Sequence, residues 1–385
     1  MIKISNRVSH LQETFLRRLS IECDQRKGIN LAQGIINTSP PQIILSAARK
    51  AVKTGQNTYT TLLGNENLRQ AISRKLLEYN NLSYNPKNEI VITVGAAGAF
   101  YCVCLGLLNP GDEILVFEPF YPYHIDVLIS LGIKPSYIKL IPPEWNFDPN
   151  ELRKKINKNT KAILINSPSN PSGKVFNLKE LISIAEIADV FDLTIITDEV
   201  YEYFTYGENK HISPASVHGL ESRTITISSF SKTFAITGWR IGYIACKPEI
   251  AQAMAYINER IFICAPSVLQ SGVADGIFSL SNNYYAQLKE SFQSKLNKLT
   301  HSLQMANLYP IVPDGTFYIL ADIGRMPGGS GFEKAMNLLE KTSVACAPCS
   351  AFILPGSNSL KNYARFSFGV SDEKLEEACK RIERL

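Results

Sequence analysis

Between residues 89 and 245, short apolar runs alternate with longer segments of helical spacing. Strand-like runs cover 89–94, 113–117, 135–140, 161–166, 193–197 and 224–227. Helical stretches at 95–108, 149–156 and 178–190, and one ending near Leu131, fall between them. A strand followed by a helix and then another strand builds a mostly parallel sheet with helices on both faces. In such a sheet, ligands bind outside the carboxyl ends of the strands. Asn170, Asp198, Tyr201 and Lys232 all fall just past strand ends, with the aromatic residues around Tyr121 in an equivalent place.

The rest of the chain fits around that core. After 245, helices are expected at 248–260, 267–278 and 282–306. Strands around Phe317 and Arg365 and helices at 331–341 and 372–384 then give a smaller α+β part. The expected class is α/β, a three-layer large domain at 46–285 with a smaller domain from 1–45 and 286–385. Residues 1–45 read as an arm and a short lead-in, and Gly328-Gly329-Ser330-Gly331 as a loop.

A chain of 385 residues with 45% hydrophobic and 19% charged residues has the balance of a globular protein with a large core. Its net charge of +5 is dispersed, and the densest basic patch (Arg153, Lys154, Lys155, Lys158) reads as a solvated helix face. Neither nucleic acid nor membrane is expected as a partner. Charges scattered through residues 1–19 leave no apolar signal core, so a cytoplasmic location is expected. Eight scattered cysteines read as free thiols.

The stretch from Ser228 to Gly242 carries the sharpest chemistry. Lys232 lies among small hydroxyl residues just past a strand, with Arg240 eight residues on. A desolvated lysine near other cations has a lowered pKa and can form a Schiff base. Ser229, Ser231 and Arg240 are suited to a phosphate, Arg240 by a two-pronged contact. Gly95-Ala96-Ala97-Gly98 turns a strand into a helix, and small residues there let free N–H groups approach an anion.

Ser-x-Ser-Lys followed by Gly-x-Arg-x-Gly resembles the cofactor-lysine segment of the fold-type I pyridoxal-phosphate aminotransferases. The similarity is greatest to the subgroup of aspartate, aromatic and kynurenine aminotransferases. Asn170-Pro171-Ser172-Gly173, Asp198-Glu199-Val200-Tyr201 and the arginine of Tyr363-Ala364-Arg365-Phe366 follow in the family's order, over roughly residues 28 to 370. The resemblance implies pyridoxal 5′-phosphate as cofactor and amino and 2-oxo acids as substrates. Lys232 would hold the cofactor and move the proton, and Asp198 would keep its ring nitrogen protonated. Asn170 and Tyr201 would meet its phenolic oxygen, and Tyr121 would stack on its ring. Ser229, Ser231, Arg240 and the turn at Gly95, Ala96 and Ala97 would hold its phosphate. Tyr59 would reach the phosphate of a second copy, which implies a homodimer with shared sites. Arg365 and Gly34 would take the substrate carboxylate, and Asn170 lies beside it.

The chain departs from the family at places that border the substrate. Alanine stands at 97, where dicarboxylate-specific members can carry lysine, so a neutral or aromatic donor is expected rather than aspartate, with 2-oxoglutarate as an acceptor. Cys349 replaces a glycine, and Ile35-Ile36-Asn37 replaces an aromatic after Gln-Gly. Lyase, decarboxylase or oxidase chemistry on the same cofactor stays open. A thiol redox or metal protein built on Cys346 and Cys349 is the more distant alternative.

Overall fold

The structure, a computed structural model, describes residues 3–11 and 15–385. Parts of the expected N-terminal arm, 1–2 and 12–14, lie outside the described residues. The remainder of that segment is not an arm: helix α1 (Phe15–Gln25) turns Leu19 and Cys23 into the core before strand β1 (Ile29–Asn30). Helices α2 (Gln42–Lys53) and α3 (Glu66–Asn80) come next. Asn65 caps α3, its side chain accepting a hydrogen bond from the Leu68 N–H at 3.1 Å.

The alternating region then folds as its pattern dictates. Strand β2 (Ile90–Val94) leads to α4 (Gly95–Leu107), β3 (Glu113–Glu118) to α5 (Pro122–Ser130), and β4 (Lys134–Lys139) to α6 (Pro149–Lys155). Strand β5 (Thr160–Asn166) leads to α7 (Leu178–Val190), followed by β6 (Thr194–Asp198), β7 (Thr224–Ser229) and β8 (Ile241–Ala245). They form one seven-stranded sheet in the order β2-β8-β7-β6-β5-β3-β4, parallel except where β8 runs antiparallel to both neighbours. Strand alternation buries both faces. On β5, Ala162 and Leu164 pack with α4 residues such as Phe100 and Val103, while Ile163 and Ile165 pack with α7 residues such as Leu181 and Ile184.

Helices α8 (Pro248–Phe262), α9 (Ser267–Ser279) and the 24-residue α10 (Asn282–Met305) lead out of this sheet. The rest comprises β9 (Pro310–Ile311), β10 (Tyr318–Asp322), α11 (Gly331–Thr342), β11 (Val344–Ala345), β12 (Ala347–Pro348), β13 (Tyr363–Ser367) and α12 (Asp372–Ile382). A four-stranded antiparallel sheet, β12-β13-β10-β9, carries this part, and β1 pairs with β11 beside it. The expected loop at 328–331 ends at Ser330, which caps α11 in a reciprocal box with Glu333. No helix among the described residues is long and apolar enough to cross a membrane.

Candidate active site

The carboxyl ends of β5, β6 and β7 open into a cavity of about 470 Å³. Asn170, Asp198, Tyr201, Ser229, Ser231 and Lys232 line it from the large sheet. Gly34, Ala96, Ala97, Tyr121, Arg240 and Arg365 line it from five other segments. Twelve of the residues singled out in the sequence therefore converge. Two do not. Gly95 is outside the lining, and Tyr59 is 79% exposed beside Gln56, Thr61 and Ser267 on another surface.

Gly95 acts one step behind the lining. Its φ is +66, and a Cβ there would lie 2.6 Å from Arg240 Nη2. Glycine is thus required for the left-handed turn and for the guanidinium pressed against it. Helix α4 starts at this turn with no side chain capping it, so its first N–H groups, at Ala96 and Ala97, stay free on the cavity side. Arg240 Nη1 donates to the Thr237 carbonyl at 2.9 Å. An uncapped helix start, a guanidinium and the hydroxyl residues Ser229, Ser231 and Thr237 together make an anion cradle.

Lys232 is partly buried, and its Nζ donates to the Gly34 carbonyl at 2.6 Å. Burial, then the positive charges of Arg365 and Arg240, bring the Lys232 amine down to about 8, with Asp198 opposing them. Such an amine is unprotonated for a useful fraction of time near neutral pH.

Asp198 closes β6 and is buried. One oxygen accepts the Val200 N–H at 3.3 Å, the ordinary business of a turn aspartate. The other accepts a hydrogen bond from His124 Nε2 at 3.1 Å. His124 escaped the sequence reading. It stands three residues after Tyr121, the residue that caps α5, and that spacing was the available signal. Tyr121 meets its ring edge-on at 5.2 Å, and Phe100 lies against it at 4.4 Å.

Arg365 is 3% exposed. Its Nη1 donates to Asn170 Oδ1 and its Nη2 to the Ala32 carbonyl, both at 2.7 Å. Its Nε has no partner, and no carboxylate among the described residues pairs with it. A buried guanidinium without a counter-charge is costly unless an anion arrives. Tyr318, a second residue the sequence reading passed over, lies under Arg365 and meets Tyr201 through its hydroxyl.

The cysteine alternative fails on burial. Cys346 and Cys349 are free and fully buried, and burial pushes the Cys346 thiol up to about 12 and the Cys349 thiol higher. Thiols so protonated are poor nucleophiles and poor metal ligands.

A model of the family described as "Aminotransferase class I and II" matches residues 26–382. The chain is 31% identical to a probable aspartate/prephenate aminotransferase of Aquifex aeolicus, over 99% of this chain and 98% of that one. It is 30% identical to kynurenine–oxoglutarate transaminase 1 of Homo sapiens, over 91% and 90%. The solved N-succinyldiaminopimelate aminotransferase of Mycobacterium tuberculosis superposes over the whole of both chains with a TM-score of 0.94 at 32% identity.

Proposed function

The chain belongs to the class I and II aminotransferases, enzymes that use pyridoxal phosphate, and from that premise we propose that it moves the α-amino group of a neutral or aromatic amino acid to a 2-oxo acid such as 2-oxoglutarate. The observation that carries the reading is the one cavity lined by Lys232, Asp198, Asn170, Tyr201, Arg240 and Arg365. The donor set fits the cofactor. An uncapped α4 beside Arg240 suits a phosphate, a buried carboxylate suits a protonated ring nitrogen, and the orphaned Nε of Arg365 suits a further anion.

Pyridoxal phosphate, when bound, supplies an aldehyde carbon that holds the amino nitrogen and a ring that accepts the electron pair left at the α-carbon. Ser229, Ser231, Arg240 and the N–H groups of Ala96 and Ala97 would hold its phosphate. Asp198, steadied by His124, would keep a proton on the ring nitrogen. Asn170 and Tyr201 would meet the phenolic oxygen, and Tyr121 would stack on the ring. Arg365 grips the substrate carboxylate, with Asn170 fixing one prong of the guanidinium and Gly34 bordering the same space. Lys232 would be the base that moves the substrate α-proton, a task suited to an amine that titrates at about 8.

Relatives of similar identity are named for different donors, so the side-chain space of this chain supports the choice of substrate. Among the described lining residues the lysines and arginines are Lys232, Arg240 and Arg365, each with a task already. Around them stand Leu16, Ile35, Tyr123 and Phe352, and Asp126 would repel a second carboxylate. The same reading makes the protein a cytoplasmic homodimer, with Tyr59 of the partner subunit completing the phosphate site. That fits a tyrosine 79% exposed outside its own chain's cavity. Residues 46–285 then carry the cofactor, and 1–45 with 286–385 form the smaller domain.

A donor panel tests the proposal. With 2-oxoglutarate as acceptor, phenylalanine and kynurenine should outrun aspartate and a basic amino acid in kcat/KM. Aspartate ahead by a wide margin would overturn the choice of donor, and amino-acid breakdown without consumption of the 2-oxo acid would overturn transamination.

A further inference from the structure

Tyr318 begins β10, 1% exposed, with its hydroxyl 2.9 Å from that of Tyr201. The two rings meet edge-on, centroids 5.7 Å apart at 77°. Neither hydroxyl makes another hydrogen bond among the described residues. Two hydroxyls thus share one contact, and only one proton can occupy it. Were Tyr201 the donor, the Tyr318 proton would have no acceptor among the described residues, and Tyr201 would offer the cavity lone pairs alone. With Tyr318 as donor both conditions improve. Its proton is used, and the Tyr201 proton is left for whatever enters the cavity.

The surroundings favour the second arrangement. The Arg365 guanidinium carbon lies 4.2 Å from the centroid of the Tyr318 ring, where a cation draws density from the ring and acidifies the hydroxyl. Burial pushes the Tyr318 phenol up, and Arg365 is the strongest force pulling it back. Burial and then the neighbouring Tyr318 hold Tyr201 well above the ordinary range, with Arg365 the last of the influences there. The more acidic of two hydroxyls is the better donor. Gly34 makes room for the arrangement: a Cβ on it would lie 2.1 Å from the Tyr318 hydroxyl oxygen and force that hydroxyl off Tyr201.

We propose that Tyr318 is a positioning residue whose hydroxyl donates to Tyr201 and so aims the Tyr201 proton into the cavity, while its ring sets the plane of Arg365. The proposal rests on reading Tyr201 as a donor to the cofactor's phenolic oxygen. A hydroxyl that accepts a hydrogen bond donates a stronger one. Tyr318 therefore favours negative charge on the phenolic oxygen through Tyr201, without touching it.

The test uses the holoenzyme as wild type, Tyr318→Phe, Tyr201→Phe and the double variant. Two quantities are read: the pH midpoint at which the visible absorption band titrates, and kcat separately from KM for the amino donor. Tyr318→Phe keeps the ring under Arg365. It should raise the midpoint and lower kcat about fivefold, the worth of one hydrogen bond, with KM within about twofold. Tyr318→Leu, which removes the ring as well, should raise KM. In the Tyr201→Phe background, Tyr318→Phe should move neither midpoint nor kcat. Gly34→Ala should reproduce the midpoint shift with both tyrosines intact. An equal effect of Tyr318→Phe in both backgrounds would overturn the proposal, because Tyr318 would then act without Tyr201. If Tyr201→Phe itself leaves midpoint and kcat unchanged, the donor role of Tyr201 fails, and the proposal fails with it.

Discussion

The five residues Asp198 to Glu202 divide two buried polar clusters of opposite character. Asp198 and Tyr201 face the cavity, and Glu199 and Glu202 face away from it. On the far side each carboxylate has partners from its own surroundings, although Asn80 Oδ1 and His211 Nδ1 are left without one. Glu199 accepts from His211 Nε2 and Ser213 Oγ, each at 2.8 Å. Glu202 is held by the Lys75 ammonium and by Asn80 Nδ2 at 3.0 Å. Glu199, Glu202 and His211 place ligand atoms within 4.8 Å of one another, with Glu202 already ion-paired to Lys75. On the cavity side Lys232, Arg240 and Arg365 have no carboxylate partner among the described residues, and Arg365 Nε has no partner at all. A polar cluster whose carboxylates are paired from within holds the backbone in place. One that keeps surplus positive charge and spare donors is built for an anion that arrives later.

Substitutions on the two sides should therefore fail in different ways. The largest effect belongs to Lys232. Lys232→Arg keeps the cation but loses both the attachable amine and the transferable proton, and kcat should fall by roughly 10²–10⁴-fold or more with the fold intact. Lys232→Ala should also change the visible absorption band. A Lys232→Arg variant with a tenth of wild-type turnover would break the assignment. Next comes Glu202→Ala, which strands Lys75 in the interior and should cost about 3–5 kcal/mol in urea unfolding. Arg365→Met should leave stability level or improved and instead raise KM for the donor. Loss of stability on the cavity side equal to that on the far side would erase the contrast. The smallest effect is a pH dependence of the cofactor-free protein. The folded Lys232 amine titrates at about 8 against an ordinary value of 10.5, so between those values the unfolded chain binds more protons. Stability should therefore rise with pH through that window, and Lys232→Met should flatten the rise in denaturant titrations.

The legible part of the site was the part carried by strand ends. Asn170, Asp198, Tyr201 and Lys232 each follow an apolar run, and a parallel sheet brings such positions to one edge. His124 and Tyr318 were hidden because their partners come from distant segments. Its spacing from Tyr121 puts His124 near the site, but only the fold shows that α5 carries it to Asp198, 74 residues away in sequence. Tyr318 sits in an apolar strand and reads as core. Only the pairing of Leu320 with Arg365 shows that Tyr318, two residues earlier on the same face, lies diagonally across from the guanidinium. Helix α1 was missed because a charged, mixed stretch shows its buried stripe, Leu19 and Cys23, only once a surface exists to receive it.

The antiparallel course of β8 has a mechanical consequence. Because β7 and β8 are hydrogen-bonded neighbours, paired through Ser229 and Gly242, the eleven residues between them are tethered at both ends to one rigid floor. Lys232 and Arg240 ride on that tether, whereas Arg365 hangs from the other sheet. Any hinge motion between the sheets would loosen the grip on a departing product and leave the grip on the vitamin-derived group undisturbed, so turnover need not cost the enzyme its cofactor.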